Sequence, residues 1–214
     1  MQALSEAEGL LYVDEHLLVL DKPAGLLAVP GRGEDKQDCL SARAQALWPD
    51  ALVVHRLDMA TSGLFLMGRG LHMQRVLGRA FAERHVRKRY EAVVAGRMGA
   101  PGATGSIELP VMADWPNRPR QKVDLEHGRP STTRWTVLDE QDDTTRIALD
   151  PVTGRTHQLR VHLHAIGHPI VGDALYAPPA VAQRAPRLLL HACALELAHP
   201  ATGEPLAFTS AVPF

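Results

Sequence analysis

The segment His55-Arg-Leu-Asp-Met-Ala-Thr-Ser-Gly63 says most about the fold and chemistry of this 214-residue chain. Two valines precede it and the apolar run Gly63–Met67 follows it, so the sequence predicts a β-strand, a polar loop and a second strand. Functional side chains concentrate in loops that rigid elements hold on both sides. Asp58 lies in this loop near the cation Arg56, and an ionised carboxylate there can act as a nucleophile or a base. Composition alone would favour an Asp that ties a turn through backbone N–H groups.

The order and spacing of the residues in this loop resemble the active-site signature of the RluA family of pseudouridine synthases. The signature is His-Arg-Leu-Asp followed by Thr-Ser-Gly, and the longer match from Val54 to Gly63 resembles the RluA branch of that family. Several fixed residue types at fixed spacing are a more specific signal than scattered glycines. The resemblance therefore favours a catalytic Asp58 over an Asp that only ties a turn.

Six further segments extend the resemblance from near residue 10 to the last residues of the sequence, and they occur in the family's order. They are Asp21–Leu26, Arg87–Tyr90, Asp114–Val123, Thr153–Arg160, His168–Asp173 and Pro186–His191. Arg87–Tyr90 resembles the family's tyrosine motif, and Thr153–Arg160 resembles its arginine motif. The resemblance therefore covers nearly the whole chain rather than one loop.

Short strand patterns outnumber helical patterns along the chain. Apolar runs and alternation predict strands at Leu10–Val13, Leu17–Leu20, Tyr90–Gly96, Gln121–Glu126, Thr132–Asp139 and Thr145–Asp150. Helical spacing predicts a helix between Asp38, as its cap, and Pro49, and further helices over Leu71–Phe81 and Thr156–Ile166. This order predicts an α+β fold rather than a doubly wound parallel sheet. The resemblance implies the pseudouridine synthase fold: a mixed, largely antiparallel β-sheet with flanking helices and a central RNA-binding cleft.

Length and composition bound the class of protein. The 214 residues suit a single catalytic domain, which we predict over residues 1–214. The first predicted strand begins near residue 10, so we expect no separate N-terminal RNA-binding domain of the kind that many family members carry. No apolar run approaches the ~20 residues of a membrane span and no secretion signal is visible, so we predict a cytoplasmic monomer with no membrane partner. Cys39 and Cys193 are predicted to be reduced, structural thiols.

The formal net charge of −1 argues against a protein that binds nucleic acid through bulk positive charge. The charge is instead segregated, with eight basic residues and two acids between Arg69 and Arg97. Such clusters are usually solvated faces, but a basic stretch that follows the Asp58 loop is also what an RNA-binding surface requires.

The resemblance assigns the catalytic roles to Asp58, Tyr90 and Arg155. Asp58 is the essential acid, either as a nucleophile on the anomeric carbon of the ribose or as a base at the neighbouring sugar carbon, and the sequence leaves both roles open. Arg155 is the permanent cation that keeps this carboxylate ionised. Tyr90 stacks on the target base and takes part in removing its ring proton, for which a phenol of pKa about 10 needs burial or a relay. The reaction needs no cofactor and no metal.

RNA recognition requires that the target uridine leaves its stack and enters the pocket. We predict contacts from the Asp58 loop, the tyrosine motif and the segment around Trp115. The RNA-binding candidates are His55, Arg56, Thr61, Arg87, Lys88, Trp115, Arg118, Arg120 and Lys122. Arg56 is best suited to fill the space that the base vacates, since a guanidinium can stack as well as pair. Trp115 can stack on a splayed base.

These motifs predict a pseudouridine synthase, an isomerase that acts on uridines in stem-loops of large-subunit ribosomal RNA, transfer RNA (the anticodon stem-loop) or both. One alternative is a non-catalytic RNA-binding protein, although such a protein would not need Asp58, Tyr90 and Arg155 together. Another is a metal-dependent hydrolase, because four histidines crowd one region. They are His157, His162, His164 and His168. Their spacing matches no zinc motif and no acidic ligand lies among them, which disfavours a metal site.

Overall fold

The computed structural model describes residues 9–214, which form twelve strands and four α-helices. The strands are β1 Leu10–Val13, β2 Leu17–Lys22, β3 Ala51–Val53, β4 Ser62–Arg69, β5 Arg87–Ala95, β6 Thr104–Glu108, β7 Val111–Ala113, β8 Gln121–Val123, β9 Thr132–Gln141, β10 Thr144–Pro151, β11 Leu190–Ala198 and β12 Pro205–Thr209. The helices are α1 Leu40–Leu47, α2 Gly70–Ala82, α3 Gln158–Ala165 and α4 Pro179–Ala182, and two 3-10 turns cover Glu34–Lys36 and Trp115–Asn117. Within this described part, no helix combines the length and the apolar character needed to cross a membrane.

The fold divides into two compact units. Unit 1 comprises the chain up to Lys88 and the segment Ala192–Pro213, and unit 2 comprises Arg89–His191 together with Phe214. The chain passes from unit 1 to unit 2 within β5 and returns within β11. The domain predicted over residues 1–214 includes both units, and its first eight residues lie outside the described part.

Unit 1 is built around two strands whose side chains are buried on both faces. β2 and β4 pair in antiparallel register with Leu20 opposite Phe65, β1 pairs with β2, and β3 pairs with β4. Every side chain of Leu17–Leu20 is fully buried, as are those at 65–67. α2 packs its Leu77 onto this core. The segment after the Asp58 loop is thus part of the best-packed layer of the unit.

Unit 2 contains antiparallel strand pairings in the order β5-β10-β9-β6. The middle of β10, Ile147–Leu149, is buried, which suits a strand with neighbours on both sides. β7 and β8 form a separate antiparallel hairpin around the second 3-10 turn, and α3 packs against β8 and β9. The helices are few and the pairings are antiparallel, so the predicted α+β class with a largely antiparallel sheet is confirmed.

Most predicted elements are present in unit 1, but the start of α1 differs. The hairpin of β1 and β2 lies where the two apolar runs predicted it. α1 has Cys39 at its N-cap, so the predicted capping by Asp38 is wrong. The carboxylate of Asp38 instead accepts two hydrogen bonds of 2.7 Å from Arg43. Cys39 and Cys193 are both buried and no disulfide joins them, as predicted.

Two elements of unit 2 are shorter than predicted. α3 begins at Gln158, two residues later than expected, because His157 has a left-handed φ of 52° that a helix cannot contain. β8 ends at Val123, because Asp124 accepts two backbone N–H groups and turns the chain. Strands β6, β7, β11 and β12 and helix α4 are additional to the predicted set.

Candidate active site

The loop between β3 and β4 carries Asp58 and is tightly constrained. The backbone N–H of Thr61 donates to the carbonyl oxygen of Asp58 at 3.1 Å, which closes a turn directly after the carboxylate-bearing residue. Thr61 and Ser62 are buried, so the chain re-enters the core at once. The side chain of Asp58 is partly exposed. The fold therefore presents this carboxylate on a fixed backbone.

Gly63 allows the chain to pass from this turn into β4. Its φ is 108°, a conformation that residues with a side chain rarely adopt. A Cβ at this position would lie 2.3 Å from the carbonyl oxygen of Ala192. The glycine of the loop motif thus serves the backbone path behind Asp58.

Lys22 fastens the loop from the side of the Asp21–Leu26 segment. Its side chain is fully buried, and its ammonium donates to the carbonyl oxygens of Pro23 at 2.8 Å, Leu26 at 2.7 Å and Met59 at 3.0 Å. An ammonium has three donors, so three carbonyls match it. Because Met59 directly follows Asp58, this buried cation holds the backbone next to the catalytic candidate.

His55 is partly buried and packs against aromatic side chains of unit 1. Its Nε2 accepts a hydrogen bond of 2.9 Å from the N–H of Leu66, and its ring stacks on Phe81 of α2 with centroids 4.6 Å apart. Burial, assisted by the positive charge of Lys88, lowers the pKa of His55 to about 3. A ring that is neutral at physiological pH and that packs on an aromatic side chain favours a structural role over the predicted RNA contact.

The other RNA-binding candidates of unit 1 differ in accessibility. Arg56 and Arg87 are exposed, and Arg87 is only loosely paired, 4.0 Å from Glu196. Lys88 is partly buried with its ammonium 5.5 Å from the centre of the Phe81 ring, and burial lowers its pKa. The side chain of Thr61 is only 2% exposed, so its placement does not favour a direct RNA contact.

Tyr90 lies on β5 of unit 2. Strand pairing sets it opposite Leu149 on β10, and its side chain is partly exposed. The preceding Arg89 binds Asp150 at 3.2 Å on the exposed surface. Tyr90 is therefore carried by a sheet, and a side chain on a rigid strand is more accurately positioned than one on a loop.

The turn that carries Arg155 is organised by the amide of Gln158. The Oε1 atom of Gln158 accepts the N–H of Arg155 at 3.0 Å and the hydroxyl of Thr153 at 2.8 Å. Its Nε2 atom donates to the carbonyl of Thr132 and the hydroxyl of Thr133, both at 3.0 Å. Gln158 is buried, and one side chain thus ties the arginine motif to β9.

The residues after this turn are held by a second network. The hydroxyl of Tyr176 binds Nδ1 of His157 at 2.6 Å and accepts the N–H of Gln121, on β8, at 2.8 Å. Arg160 and Asp173 form a buried ion pair with two hydrogen bonds of 2.8 and 2.7 Å. Through Tyr176, His157 of the arginine motif is thus connected to the β7–β8 hairpin.

That hairpin carries the remaining RNA-binding candidates. Trp115 is 62% exposed, and the guanidinium carbon of Arg118 lies 3.4 Å from its ring centre. Arg120 and Lys122 line a cavity of about 290 Å³ beside α3, and Lys122 also binds Asp124 at 3.0 Å. An exposed aromatic ring already stacked by a cation is the kind of surface on which an unstacked base can pack.

The predicted site residues are thus distributed over both units. Asp58 lies in unit 1, whereas Tyr90 and Arg155 lie in unit 2. Of the RNA-binding candidates, unit 1 holds His55, Arg56, Thr61, Arg87 and Lys88, and unit 2 holds Trp115, Arg118, Arg120 and Lys122. Sequence reasoning missed the supporting residues Lys22 and Gln158. Both lie inside motif segments. A polar residue with no assigned role within a motif was therefore the sequence signal that could have identified them as supporting residues.

The clustered histidines do not form a common site. Across residues 9–214, no three His, Cys, Asp or Glu side chains are grouped so that they could hold a metal ion. His162 is bound between the hydroxyl of Thr133 and the carbonyl of Leu109, and His168 binds the carbonyl of Ala95. His162 and His168 thus have separate partners, whereas the rings of His157 and His164 both lie against Tyr176.

Comparison with known sequences gives one family. The sequence model of the family described as "RNA pseudouridylate synthase" matches residues 16–165. Two curated relatives are both named "Dual-specificity RNA pseudouridine synthase RluA". The protein of Escherichia coli strain K12 is 48% identical over 206 residues, which cover 96% of this chain and 93% of the relative. The protein of Vibrio cholerae serotype O1 is 50% identical over 190 residues, which cover 89% of this chain and 77% of the relative.

Two solved structures are similar in fold. Human RNA Pseudouridylate Synthase Domain Containing 1 superposes with a TM-score of 0.80 at 27% identity, covering 100% of this chain and 87% of the human one. Human RNA Pseudouridylate Synthase Domain Containing 4 gives a TM-score of 0.75 at 25% identity, covering 97% of this chain and 89% of the human one.

Proposed function

The chain belongs to the RNA pseudouridylate synthase family, and from this premise we propose that it converts specific uridines in stem-loops of large-subunit ribosomal RNA, transfer RNA or both to pseudouridine. The matches to known sequences confirm the family that the loop, tyrosine and arginine motifs predicted. They also confirm the predicted isomerase activity. The relatives that are named dual-specificity RNA pseudouridine synthases support a choice of more than one RNA.

The observation that carries this proposal is the fixed backbone around Asp58. The ammonium of Lys22 holds the carbonyl of Met59, Thr61 closes the turn, and Gly63 admits a close approach to the neighbouring backbone. A catalytic group must be held to within a fraction of an ångström, and this requires support from the surrounding residues. A protein that only binds RNA would not need the backbone around one carboxylate-bearing residue to be held in this way.

The reaction exchanges one bond between base and sugar for another. The bond from ring nitrogen 1 of uracil to the anomeric carbon breaks, the base rotates, and carbon 5 of uracil bonds to the same sugar carbon. Carbon 5 loses its proton and nitrogen 1 gains one, so atoms balance without a cofactor. The enzyme has to supply a carboxylate, a way to hold the detached base and a route for the proton.

We assign these tasks to Asp58, Tyr90 and Arg155. Asp58 acts as the nucleophile on the anomeric carbon or as the base at the neighbouring sugar carbon, and both roles require its ionised form. Arg155 is the permanent cation that favours this form. Tyr90 stacks on the base and takes part in proton removal from carbon 5.

The target uridine is flipped out of its stem-loop before it reacts, at a cost of about a few kcal/mol in lost stacking. Arg56 is exposed beside Asp58 in the sequence and is suited to occupy the vacated space. Arg87 and the hairpin residues Trp115, Arg118 and Arg120 hold the flanking RNA.

We further propose that residues 1–214 form one catalytic domain that acts as a monomer in the cytoplasm.

The test is tritium release from transcripts that carry tritium on carbon 5 of uridine, incubated with the purified protein without added nucleotide. Asp58→Asn keeps the size of the side chain and removes the charge, so we expect turnover to fall by at least about a thousandfold while RNA affinity stays within a few-fold. Asp35→Asn is the matched control, because Asp35 is an exposed acid on the first 3-10 turn. Its release rate should equal that of the unmodified protein.

Comparison of transcripts identifies the substrate. Release from a transfer RNA stem-loop and from a ribosomal stem-loop supports two substrates, and release from one alone restricts the proposal to that RNA. If the unmodified protein binds both RNAs but releases no tritium from either, the chain is a binding protein on this fold and the catalytic proposal is wrong.

A further inference from the structure

α2 carries a surface groove, and Ala80 in its lining also packs against the core of unit 1. The groove has a volume of about 420 Å³, and Val76 and Ala80 contribute to its apolar floor. Arg75 and Arg79 line it from the helix, and we call it the Arg75–Arg79 groove. His72, one turn before Arg75, and the post-helix residues Glu83 and His85 complete the lining. The groove is distinct from the Asp58 loop.

The two arginines of the groove lack a carboxylate partner. Arg75 and Arg79 are four residues apart on a helix, which places their side chains on the same face, and like charges at this spacing destabilise a helix. Neither forms an ion pair with any residue in the part of the chain that the structure describes, and both are exposed. The one acid of the groove, Glu83, lies 3.6 Å from His85.

Some arginines elsewhere in the chain have a carboxylate partner. Arg43 binds Asp38 at 2.7 Å, and Arg184 binds Asp143 at 2.7 Å. The chain as a whole has a formal net charge of −1, so acids are available to pair with arginines. Within the described residues, Arg75 and Arg79 thus form no ion pair, and the Arg75–Arg79 groove presents positive charge to which an anion from outside the chain can bind.

The helix also connects this groove to the Asp58 loop. Phe81 is on α2, two residues after Arg79, and its ring stacks at 4.6 Å on His55, which begins the motif containing Asp58. A polyanion held in the groove is thus bound to an element that packs directly against the loop. A guanidinium is planar and binds the oxygens of a phosphate through two parallel hydrogen bonds, which suits Arg75 and Arg79 to RNA phosphates.

We propose that the Arg75–Arg79 groove binds backbone phosphates of the substrate RNA outside the target nucleotide. The proposal rests on the proposed function, because it takes the substrate RNA as the anion. It extends the RNA-binding surface to α2, which none of the RNA-binding candidates occupies. The groove contributes to affinity through charge and does not read the base sequence.

The double variant Arg75→Gln/Arg79→Gln tests the proposal through RNA affinity and its salt dependence. Each phosphate contact contributes about 0.7 to 0.9 to the slope of log K against log salt, so the slope should fall in magnitude by ~1.5. The Kd at low salt should rise on the order of tenfold. Arg75→Glu/Arg79→Glu should weaken binding further, because it places negative charge at the same points.

The matched control is Arg43→Gln/Arg184→Gln, which removes two arginine charges that already bind carboxylates. Its Kd and salt slope should stay within about twofold of the unmodified protein. Thermal melting verifies folding, and neutralising two exposed like charges on a helix should not lower the melting temperature.

An unchanged Kd and slope in both groove variants would overturn the proposal, as would an equal loss in the control, which would indicate bulk charge. The tritium assay separates this outcome from a failure of the proposed function. If the unmodified protein releases tritium and the groove variants bind RNA as tightly as it does, the synthase assignment stands and the groove proposal alone is wrong.

Discussion

The ammonium of Lys22 donates a hydrogen bond of 3.0 Å to the backbone carbonyl of Met59, a residue 37 positions later in the chain. The same carbonyl accepts the N–H of Gly25 at 2.8 Å. Two segments that resemble separate family motifs are therefore joined at one oxygen atom, directly after Asp58. Lys22 is fully buried, so this contact is not exchanged with water.

We predict that Lys22→Met lowers both stability and activity. Methionine fills a similar volume but removes the ammonium donor from the carbonyls of Pro23, Leu26 and Met59, of which Met59 keeps the N–H of Gly25, and an unsatisfied acceptor that is shielded from water costs about 1–3 kcal/mol. We expect a loss of ~3 kcal/mol in urea unfolding and a fall in kcat on the order of tenfold. Lys36→Met, at an exposed position, is the control. Full activity in Lys22→Met would show that the ammonium does not position the loop.

Gly63→Ala tests whether the motif glycine is required by the backbone. The φ of 108° and the 2.3 Å approach of a Cβ to the carbonyl of Ala192 both oppose a side chain. We expect a loss of ~3 kcal/mol in unfolding free energy, with reduced tritium release. Gly70→Ala isolates the conformational part, because Gly70 has a φ of 74° and no atom within 4 Å of the added Cβ. Gly70→Ala should lower the unfolding free energy by only about 1 kcal/mol. If Gly63→Ala and Gly70→Ala lower the unfolding free energy equally, the steric argument is contradicted.

Asp14 gives unit 1 a dependence on pH. Burial alone would raise the pKa of Asp14, but hydrogen bonds from the Tyr12 hydroxyl, from the N–H groups of His16 and Leu17, and from His199 hold it well below its ordinary value. Nδ1 of His199 accepts backbone N–H groups, so its Nε2 carries the proton that bonds to Asp14 at 2.9 Å. The carboxylate thereby joins the β1–β2 turn to the β11–β12 turn.

A folded pKa below the unfolded value stabilises the fold above the unfolded pKa, which is about 3.9 for Asp. This contribution is lost as pH falls from about 4 toward the folded pKa. We predict that Asp14→Asn costs ~2 kcal/mol at neutral pH and that its difference from the unmodified protein shrinks below about pH 4. Urea unfolding of both proteins between neutral pH and about pH 3 measures the cost of the substitution and its decrease at low pH. A difference that stays constant down to about pH 3 would contradict the assignment to the carboxylate.

The sequence predicted the elements whose signals are local. The β1–β2 hairpin follows from two apolar runs around a polar turn, and α2 follows from helical spacing. β11 has nine residues that are mostly apolar, and such a run is compatible with either a strand or a buried helix until its partners are known. The start of α3 depends on the left-handed φ of His157, which its spacing pattern does not contain.

In the candidate site, too, some features follow from local sequence and others depend on tertiary contacts. Asp58, Tyr90 and Arg155 were identified because motif resemblance needs only residue order. The packing of His55 depends on Phe81 of α2, and the role of Lys22 depends on the carbonyl of Met59, so both are tertiary effects. Residues that look polar and accessible within a motif can thus be buried supports, and only the fold distinguishes them from ligand contacts.

Gln158 is such a support for Arg155. Its Nε2 donates to the Thr132 carbonyl and the Thr133 hydroxyl, while its Oε1 accepts the N–H of Arg155. Glutamate has the same shape and keeps the Oε1 acceptor, but it replaces the donating amide by oxygen. The new oxygen would face the Thr132 carbonyl, and two acceptors in a buried position repel each other.

We therefore predict that Gln158→Glu destabilises the protein by ~2 kcal/mol and lowers kcat on the order of tenfold, because the Arg155 turn loses its attachment to β9. RNA affinity should stay within about twofold, since none of the RNA-binding candidates touches Gln158 in the contacts described. Gln37→Glu is the control, as the exposed amide of Gln37 donates to the carbonyls of Gly31 and Gly33. Single-turnover tritium release at saturating RNA measures kcat separately from binding. If kcat is unchanged while the melting temperature falls, Gln158 supports the fold without positioning Arg155, because a change confined to stability leaves the geometry of the remaining folded molecules intact.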